Sequence, residues 1–239
     1  MLKKIYETVK FIPPFTSVIK GHFNPELQVI RGYWMISWFK SEFAEKEMLE
    51  AKELNISPEE ILNRRLNEIP PGCEGLLLQP YWGAGLKMPE ARGAIIGFGD
   101  VHTRIHIYRA IIEGIGFALL NGIKKIESKS KVKMDKIMLS GGGSQSDVIC
   151  QITADIFNKS VCRVQTYETS GLGAAMVGYV AIGQFKSYQE AIKSMVHISK
   201  TFEPNEENVK LYRQIYYKVY QKVYPRLKPL YKEIKNIKK

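Results

Sequence analysis

Lys136-Ile137-Met138-Leu139-Ser140-Gly141-Gly142-Gly143-Ser144-Gln145-Ser146 is the stretch on which the fold turns. Its apolar start predicts a strand over 136–140, three glycines follow at once, and the residues to Phe157 predict a helix from about Gln145. A strand that ends in glycines and opens into a helix leaves backbone N–H groups uncovered by any Cβ. It does so at the helix end whose dipole favours negative charge. Such a unit is either a tight turn or a seat for an anion or a flat ligand, and both readings stand at this point. Ser144, Ser146 and Asp147 follow closely enough to add hydrogen bonds to a ribose or base. The chain has no G-x-x-x-x-G-K-[ST] and no G-x-G-x-x-G after a strand, so a nucleotide held here is held in another manner.

Outward from this unit, strands and helices alternate. Downstream, Val161-Cys162-Arg163-Val164 predicts a strand, and Gly171 to Ile182 a helix of small residues suited to close packing. Upstream, Ile107, Ile111, Ile115, Ala118 and Leu119 recur at helical spacing between Thr103 and about Glu127. Leu76 to Tyr81 predicts a short buried strand and Gly93 to Phe98 a second. Ser57-Pro58-Glu59-Glu60 carries an N-cap, a proline at the first helical position and acids in the first turn, and Pro70-Pro71-Gly72 stops that helix. Earlier still, Gly32 to Phe39 begins a helical pattern, Glu42 to Leu54 favours helix, and Pro13-Pro14 marks an extended entry. This alternation predicts an α/β domain, helices covering a sheet, with no internal repeat.

Composition narrows the function classes. The 239 residues suffice for a sizeable core, and 45% hydrophobic with 25% charged content is ordinary for a globular protein. No apolar run approaches the roughly 20 residues of a membrane helix, and the first residues lack the apolar stretch of a secretory signal. Cys73, Cys150 and Cys162 are scattered and odd in number, which suits buried thiols in a reducing cytosol better than disulfides or zinc; the expected location is cytoplasmic.

The net charge of +11 is concentrated, since residues 210–239 hold ten Lys or Arg and one Glu, or +9 of it. The body is near neutral and carries no nucleic-acid motif, so the tail reads as an amphipathic helix. Asn205 or Pro204 would start it, Leu211, Ile215, Val219 and the tyrosines would dock, and Pro225 and Pro229 would end it. An acidic partner or RNA is the competing reading of the basic face.

Four ordered segments resemble the C-terminal domain of the FGGY carbohydrate kinases, which include xylulose, gluconate and glycerol kinases. Pro80-Tyr81-Trp82, Pro89-Glu90-Ala91-Arg92-Gly93-Ala94 and Gly97-Phe98 are similar to P-x-W-(D)-P-x-A-R-G-A-x-x-G-L. Arg109-Ala110-Ile111-Ile112-Glu113-Gly114-Ile115-Gly116-Phe117 is similar to R-A-x-x-E-G-I-A-F. Ser140 to Ser146, running on to Gln151-Ile152-Thr153-Ala154-Asp155, resembles the family's adenosine motif, and Glu168-Thr169-Ser170-Gly171-Leu172-Gly173-Ala174-Ala175 its E-x-x-A-L-G-A-A. The ending, with Phe202-Glu203-Pro204, Tyr212 and Tyr216-Tyr217, resembles xylulose-kinase-like members most. The match runs over roughly residues 20 to 225.

The resemblance implies an actin-like ATPase (ribonuclease H-like) fold with a central mixed sheet. It implies ATP or ADP with Mg2+ as ligands, and phosphoryl transfer to a sugar hydroxyl. By position, Gly141, Gly142, Gly143 and Ser146 would meet the adenosine, Gly97 and Gly99 to Thr103 the ribose and phosphates, and Gly171 and Gly173 would pack by the cleft. The chain would then be one domain: a helical entry to about residue 70, a nucleotide-binding core over 71–200, and a basic helix over 201–239. The N-terminal sugar-binding domain, which holds the family's catalytic aspartate, would be absent.

Only Asp100, Asp135, Asp147 and Asp155 occur here, and none matches that base. Gly83 stands where the family usually has an acid. Arg109 and Glu113 lie one turn apart, which an intrahelical ion pair would also explain; Trp82 and Arg92 have structural readings too. No metal-ligating residue is identified. Three functions compete: half of a sugar kinase that needs a separate N-terminal polypeptide, a non-catalytic scaffold that oligomerises through the face once turned to that domain, and a nucleic-acid binder using the tail.

Overall fold

The computed structural model describes residues 14–83, 85 and 88–237, so Pro13 of the expected entry lies outside them. A minimal hairpin of β1 (Phe15–Thr16) and β2 (Phe23–Asn24) leads into three helices, α1 (Trp34–Phe43), α2 (Glu45–Leu54) and α3 (Pro58–Arg65). The signals at the start of α3 act as read: the Ser57 hydroxyl accepts from the Glu60 N–H and Pro58 opens the first turn. Two short strands follow, β3 (Leu77–Gln79) and β4 (Ala94–Ile96), paired antiparallel with Leu78 opposite Ile95. β3 is buried throughout, the polar Gln79 included.

The spine is α4 (Arg104–Ser130), 27 residues long. It has two buried sides because its apolar residues spread well beyond one stripe, and it crosses β3 at Gly114, where a Cβ would stand 2.4 Å from the Leu78 carbonyl oxygen. A single core cluster joins Met35 and Phe39 of α1, Leu62 of α3, Leu77 and Leu78 of β3 and Ile111, Ile115 and Phe117 of α4.

After α4 come β5 (Lys136–Leu139), α5 (Asp147–Phe157) and β6 (Ser160–Val164), a parallel pair with its crossover helix. Then α6 (Thr169–Ala181) and α7 (Tyr188–Met195) precede β7 (Ile198–Phe202), which pairs antiparallel with β6. The sheet is mixed, as expected, with strand order β5-β6-β7 among the described residues. Neither α7 nor β7 was anticipated: β7 is exposed except at Phe202, so it lacks the apolar alternation that marks a half-buried strand. β7 also crosses residue 200, where the core and the basic helix were expected to meet.

The tail corrects two expectations. It begins at the Asn205 cap, whose side chain accepts from the Glu207 and Asn208 N–H groups, and runs as α8 (Glu206–Ile215), a π-helical turn (Tyr216–Tyr220) and α9 (Gln221–Ile237). Pro225 and Pro229 do not end it; both lie inside α9. Each proline removes one N–H donor on an exposed face, while Val223 and Tyr231 of the same helix stay buried and hold it in place. The docked stripe is also shifted. Leu211 and Val219 are 40% and 43% exposed, whereas Tyr212, Tyr216 and Tyr220 are each 1% exposed. These rings close on Phe117 at centroid distances of 5.9, 6.1 and 5.1 Å, within the range of favourable aromatic pairs.

The three cysteines are free and buried, and burial pushes the Cys150 thiol up to about 11. No described helix is long and apolar enough to cross a membrane.

Candidate nucleotide site

The strand–glycine–helix unit forms as read, with one change at the helix start. Gly142 to Gln145 make a short 3-10 turn, and α5 begins only at Asp147, because the Ser146 hydroxyl caps it by accepting from the Ile149 N–H. Ser146 is thus engaged in its own helix. Ser144 is buried, its hydroxyl donating to the Gly141 carbonyl at 2.7 Å. Gly141 has φ +81 and donates its N–H to the Tyr167 carbonyl at 3.2 Å, which ties the turn to the loop after β6.

The triplet opens on a cavity of about 760 Å³. Gly142, Gly143, Gln145 and Ser146 form one wall, Tyr33 and Ile36 a second, and Ser57, Asn63 and Arg64 a third. A Cβ on Gly142 would meet nothing within 4 Å, whereas one on Gly143 would lie 2.7 Å from the Tyr33 ring. Gly142 therefore lines the open space and Gly143 permits Tyr33 to pack. The first turns of two helices, α3 and α5, border the same cavity, and both carry a side-chain cap. Tyr108 in the lining donates its hydroxyl to the Asn63 amide oxygen at 2.9 Å. Tyr33, Ser57 and Asn63 were missed as site residues because no motif links them to the glycines; they arrive from 78 or more residues upstream of the triplet.

The other expected contacts lie elsewhere. Gly97 lines a separate cavity of about 300 Å³ with Gly72 and Glu113. Its φ is +94 and a Cβ would stand 2.3 Å from the Gly75 carbonyl oxygen, so glycine there serves a tight crossing of two chain segments. The Gly99 N–H donates to His102 Nδ1 at 2.7 Å, and Thr103 caps α4, its backbone N–H donating to His106 Nδ1 at 3.1 Å. This loop is closed on itself by hydrogen bonds. Gly171 and Gly173 sit on α6, which buries no residue, and a Cβ at either would touch nothing within 4 Å. The close packing expected of this helix is not made within the described residues.

Arg109 and Glu113 turn out to be a structural knot. Both are buried, with Arg109 Nε donating to Glu113 Oε1 at 2.7 Å. Arg109 Nη1 donates to the Leu66 and Ile69 carbonyls, and Nη2 to the Tyr212 hydroxyl, which in turn donates to Glu113 at 2.8 Å. Burial pushes the Glu113 carboxyl up, against the opposing pull of Arg109. Trp82 is structural too: its ring occupies the place of a side chain at Gly93, with ring atoms 2.1 Å from where a Cβ would sit, and it packs on Trp38 at 5.3 Å. Arg92 is exposed.

Two of the aspartates have structural duties. Asp147 pairs with Lys200 and Arg163, whose hydrogen bonds and charge pull its carboxyl down. Asp155 accepts from the Asn205 N–H and the Asn208 amide, holding the start of α8. Asp100 and Asp135 are exposed.

The donors present fit part of the expected ligand. Open backbone at Gly142, two helix N-termini and the apolar surface of Ile36, Tyr108 and Val148 suit the flat, partly polar adenosine group. They do not suit magnesium. The carboxylates in the cavity wall, Glu59 and Glu60, are already paired with Lys40 and Arg64, and no cluster of three potential metal ligands gathers among the described residues.

The mixed sheet, its flanking helices and this glycine turn define the class: an α/β domain of the actin-like ATPase fold. The fold is shared with the xylulose kinases of Rhodospirillum rubrum and Lactobacillus acidophilus, at TM-scores of 0.68 and 0.70 with 23% identity to each; the alignments cover 86% and 85% of this chain and 39% and 40% of theirs. The chain belongs to the FGGY family of carbohydrate kinases, matching that family's C-terminal domain over residues 13–182.

Among curated relatives it is 31% identical over 206 residues to the sugar kinase YgcE of Escherichia coli (strain K12), covering 86% of this chain and 42% of that protein. It is 35% identical over 202 residues to a xylulose kinase of Staphylococcus epidermidis, covering 83% of this chain and 38% of that one. The chain thus spans about two fifths of the length of the relatives it matches.

Proposed function

We propose that this chain is the nucleotide-binding half of an ATP-dependent sugar kinase, and that it transfers the γ-phosphoryl group to a sugar hydroxyl when joined to a sugar-binding half. The observation that carries the reading is the open Gly142 backbone beside two helix N-termini in a cavity of about 760 Å³. Phosphoryl transfer needs positioning of both substrates, a carboxylate to accept the hydroxyl proton, and neutralisation of phosphate charge. The residues here serve the first of these for the adenosine. None of the four aspartates is free in the cavity to serve the second. The proton acceptor and the groups that hold magnesium therefore belong to the other half, which agrees with the paired state of Glu59, Glu60 and Asp147. A pentulose or polyol substrate is in keeping with the xylulose kinases and the glycerol kinase among the relatives.

Titration calorimetry with ADP and magnesium tests the reading on this chain alone. Binding heat is expected for the wild type, with a rise in melting temperature; at ~100-fold excess over Kd the ligand would add about 2.7 kcal/mol. Gly142→Val should abolish the heat while leaving the unliganded melting temperature in place, because the new side chain enters open space. A wild-type chain that shows neither heat nor a melting shift at millimolar ADP would overturn the assignment.

A further inference from the structure

One side chain in the cavity beside the glycine triplet has its hydrogen-bonding sense fixed before any ligand arrives. Asn63 lies on the second turn of α3, half-buried, and lines the cavity together with Gly142 and Gly143. Its Oδ1 accepts from the Tyr108 hydroxyl at 2.9 Å, and its Nδ2 has no partner among the described residues. Tyr108 is fully buried, and burial pushes its hydroxyl well above the usual tyrosine range, so the proton stays on the oxygen and is donated. Turned the other way, the amide would donate to Tyr108 and leave that buried proton without an acceptor, which a closed core tolerates poorly. Nδ2 therefore offers the cavity a donor and nothing else. The other polar groups of the lining are less selective. Tyr33, Ser57 and Ser146 carry hydroxyls, which donate or accept as a ligand requires. Gln145 is exposed, with no bond holding its amide in one sense, and Arg64 is engaged by Glu60.

We propose that Asn63 reads the base of the bound nucleotide by donating from Nδ2 to a ring nitrogen of adenine, and that Tyr108 is the positioning residue that holds the amide in this sense. The inference rests on the function proposed above. Adenine carries acceptors at its ring nitrogens N1, N3 and N7 and its donor at the exocyclic amine, so a donor-only partner selects one of the ring edges and rejects the amine. Ile36 and Val148 supply apolar surface in the same cavity for the faces of the ring. A site built around a hydrogen bond of fixed sense discriminates against a ligand that cannot complete it, because the protein's own polar group is then left unpaired.

The test is calorimetry on the full 239-residue chain with ADP and with the three deaza analogues of ADP in which N1, N3 or N7 is replaced in turn by C–H. One analogue should bind about three- to tenfold more weakly than ADP, the worth of a neutral hydrogen bond, and the other two like ADP. Asn63→Ala combined with Tyr108→Phe removes the donor without stranding a buried hydroxyl. This double variant should bind ADP more weakly by the same factor and no longer distinguish the sensitive analogue from ADP. Tyr108→Phe alone keeps the ring that packs on Phe39 at 5.2 Å but frees the amide to turn. It should narrow the gap between ADP and the sensitive analogue, a change that a residue serving only to fill the core would not produce. The inference is overturned if all three analogues bind the wild type as tightly as ADP, or if the double variant keeps the wild-type preference. In both cases ADP binding itself leaves the kinase reading intact. A wild-type chain that binds neither ADP nor any analogue sinks that reading, and the base-reading role with it.

Discussion

Arg109 shows how a side chain that stands in a family motif can serve the packing of the core. Its spacing to Glu113 suggested an ion pair along one helix, worth a few tenths of a kcal/mol on a surface. In the structure the pair is buried, and its remaining hydrogen bonds reach the Leu66 and Ile69 carbonyls and Tyr212, joining three separate parts of the chain. The four-residue spacing was legible; the partners were not, because they come from positions 40, 43 and 103 residues away in sequence. Arg109→Ala strands the Glu113 carboxylate and two carbonyls in the core, and urea unfolding should show a loss of about 3–5 kcal/mol. A loss under about 1 kcal/mol, typical of an exposed pair, would contradict this account.

At the scale of elements, the tail helix is the instructive case. Local rules place its end at Pro225, and host–guest data put a mid-helix proline at about 3 kcal/mol below alanine. Tertiary burial of Tyr212, Tyr216, Tyr220, Val223 and Tyr231 overrides that penalty. The penalty itself remains in the folded state. Pro225→Ala and Pro229→Ala should therefore each raise stability, by about 1–3 kcal/mol, with a higher melting midpoint and stronger helical circular dichroism. A fall in stability on either substitution would mean that the proline ring, and not the helix, is what packs there. The opposite lesson comes from α6: a small-residue helix read as made for close packing has α7 beside it yet leaves none of its residues fully buried, since composition permits close approach without enforcing it.

For the whole molecule, the tail must hold on to the body across more than a hundred residues of sequence, and Glu90 supplies one clasp. Its carboxylate accepts from the Tyr224 hydroxyl at 2.7 Å and pairs with Lys228 at 3.3 Å. The Tyr224 hydrogen bond first, and Lys228 with it, pull the carboxyl from its ordinary 4.5 down to about 2. A depressed carboxylate contributes stability that is full above its unfolded value and is lost as pH falls through its folded value. Docking of α9 should accordingly weaken between about pH 4.5 and pH 2. Tyrosine fluorescence or near-ultraviolet circular dichroism would follow it, and Glu90→Gln should flatten the profile over that window. An unchanged profile in the variant would assign the acid transition to other carboxylates.

Much of this protein was written in the order of its residues. The strand–glycine–helix unit, the Ser57 cap, the buried β3 and the long α4 depend on short-range sterics, capping and periodicity, all of which a single sequence displays. The family motifs lie in the same order and mark the same elements. Only the tertiary structure decided which glycines share a cavity: Gly142 and Gly143 face α1 and α3, while Gly97 supports a chain crossing and a Cβ at Gly171 or Gly173 would meet nothing. It also decided that the tail runs past two prolines and that no described strand pairs with the outer edge of β5. These outcomes depend on contacts between residues far apart in the chain, whose burial energies exceed local preferences and leave no periodic trace in the sequence.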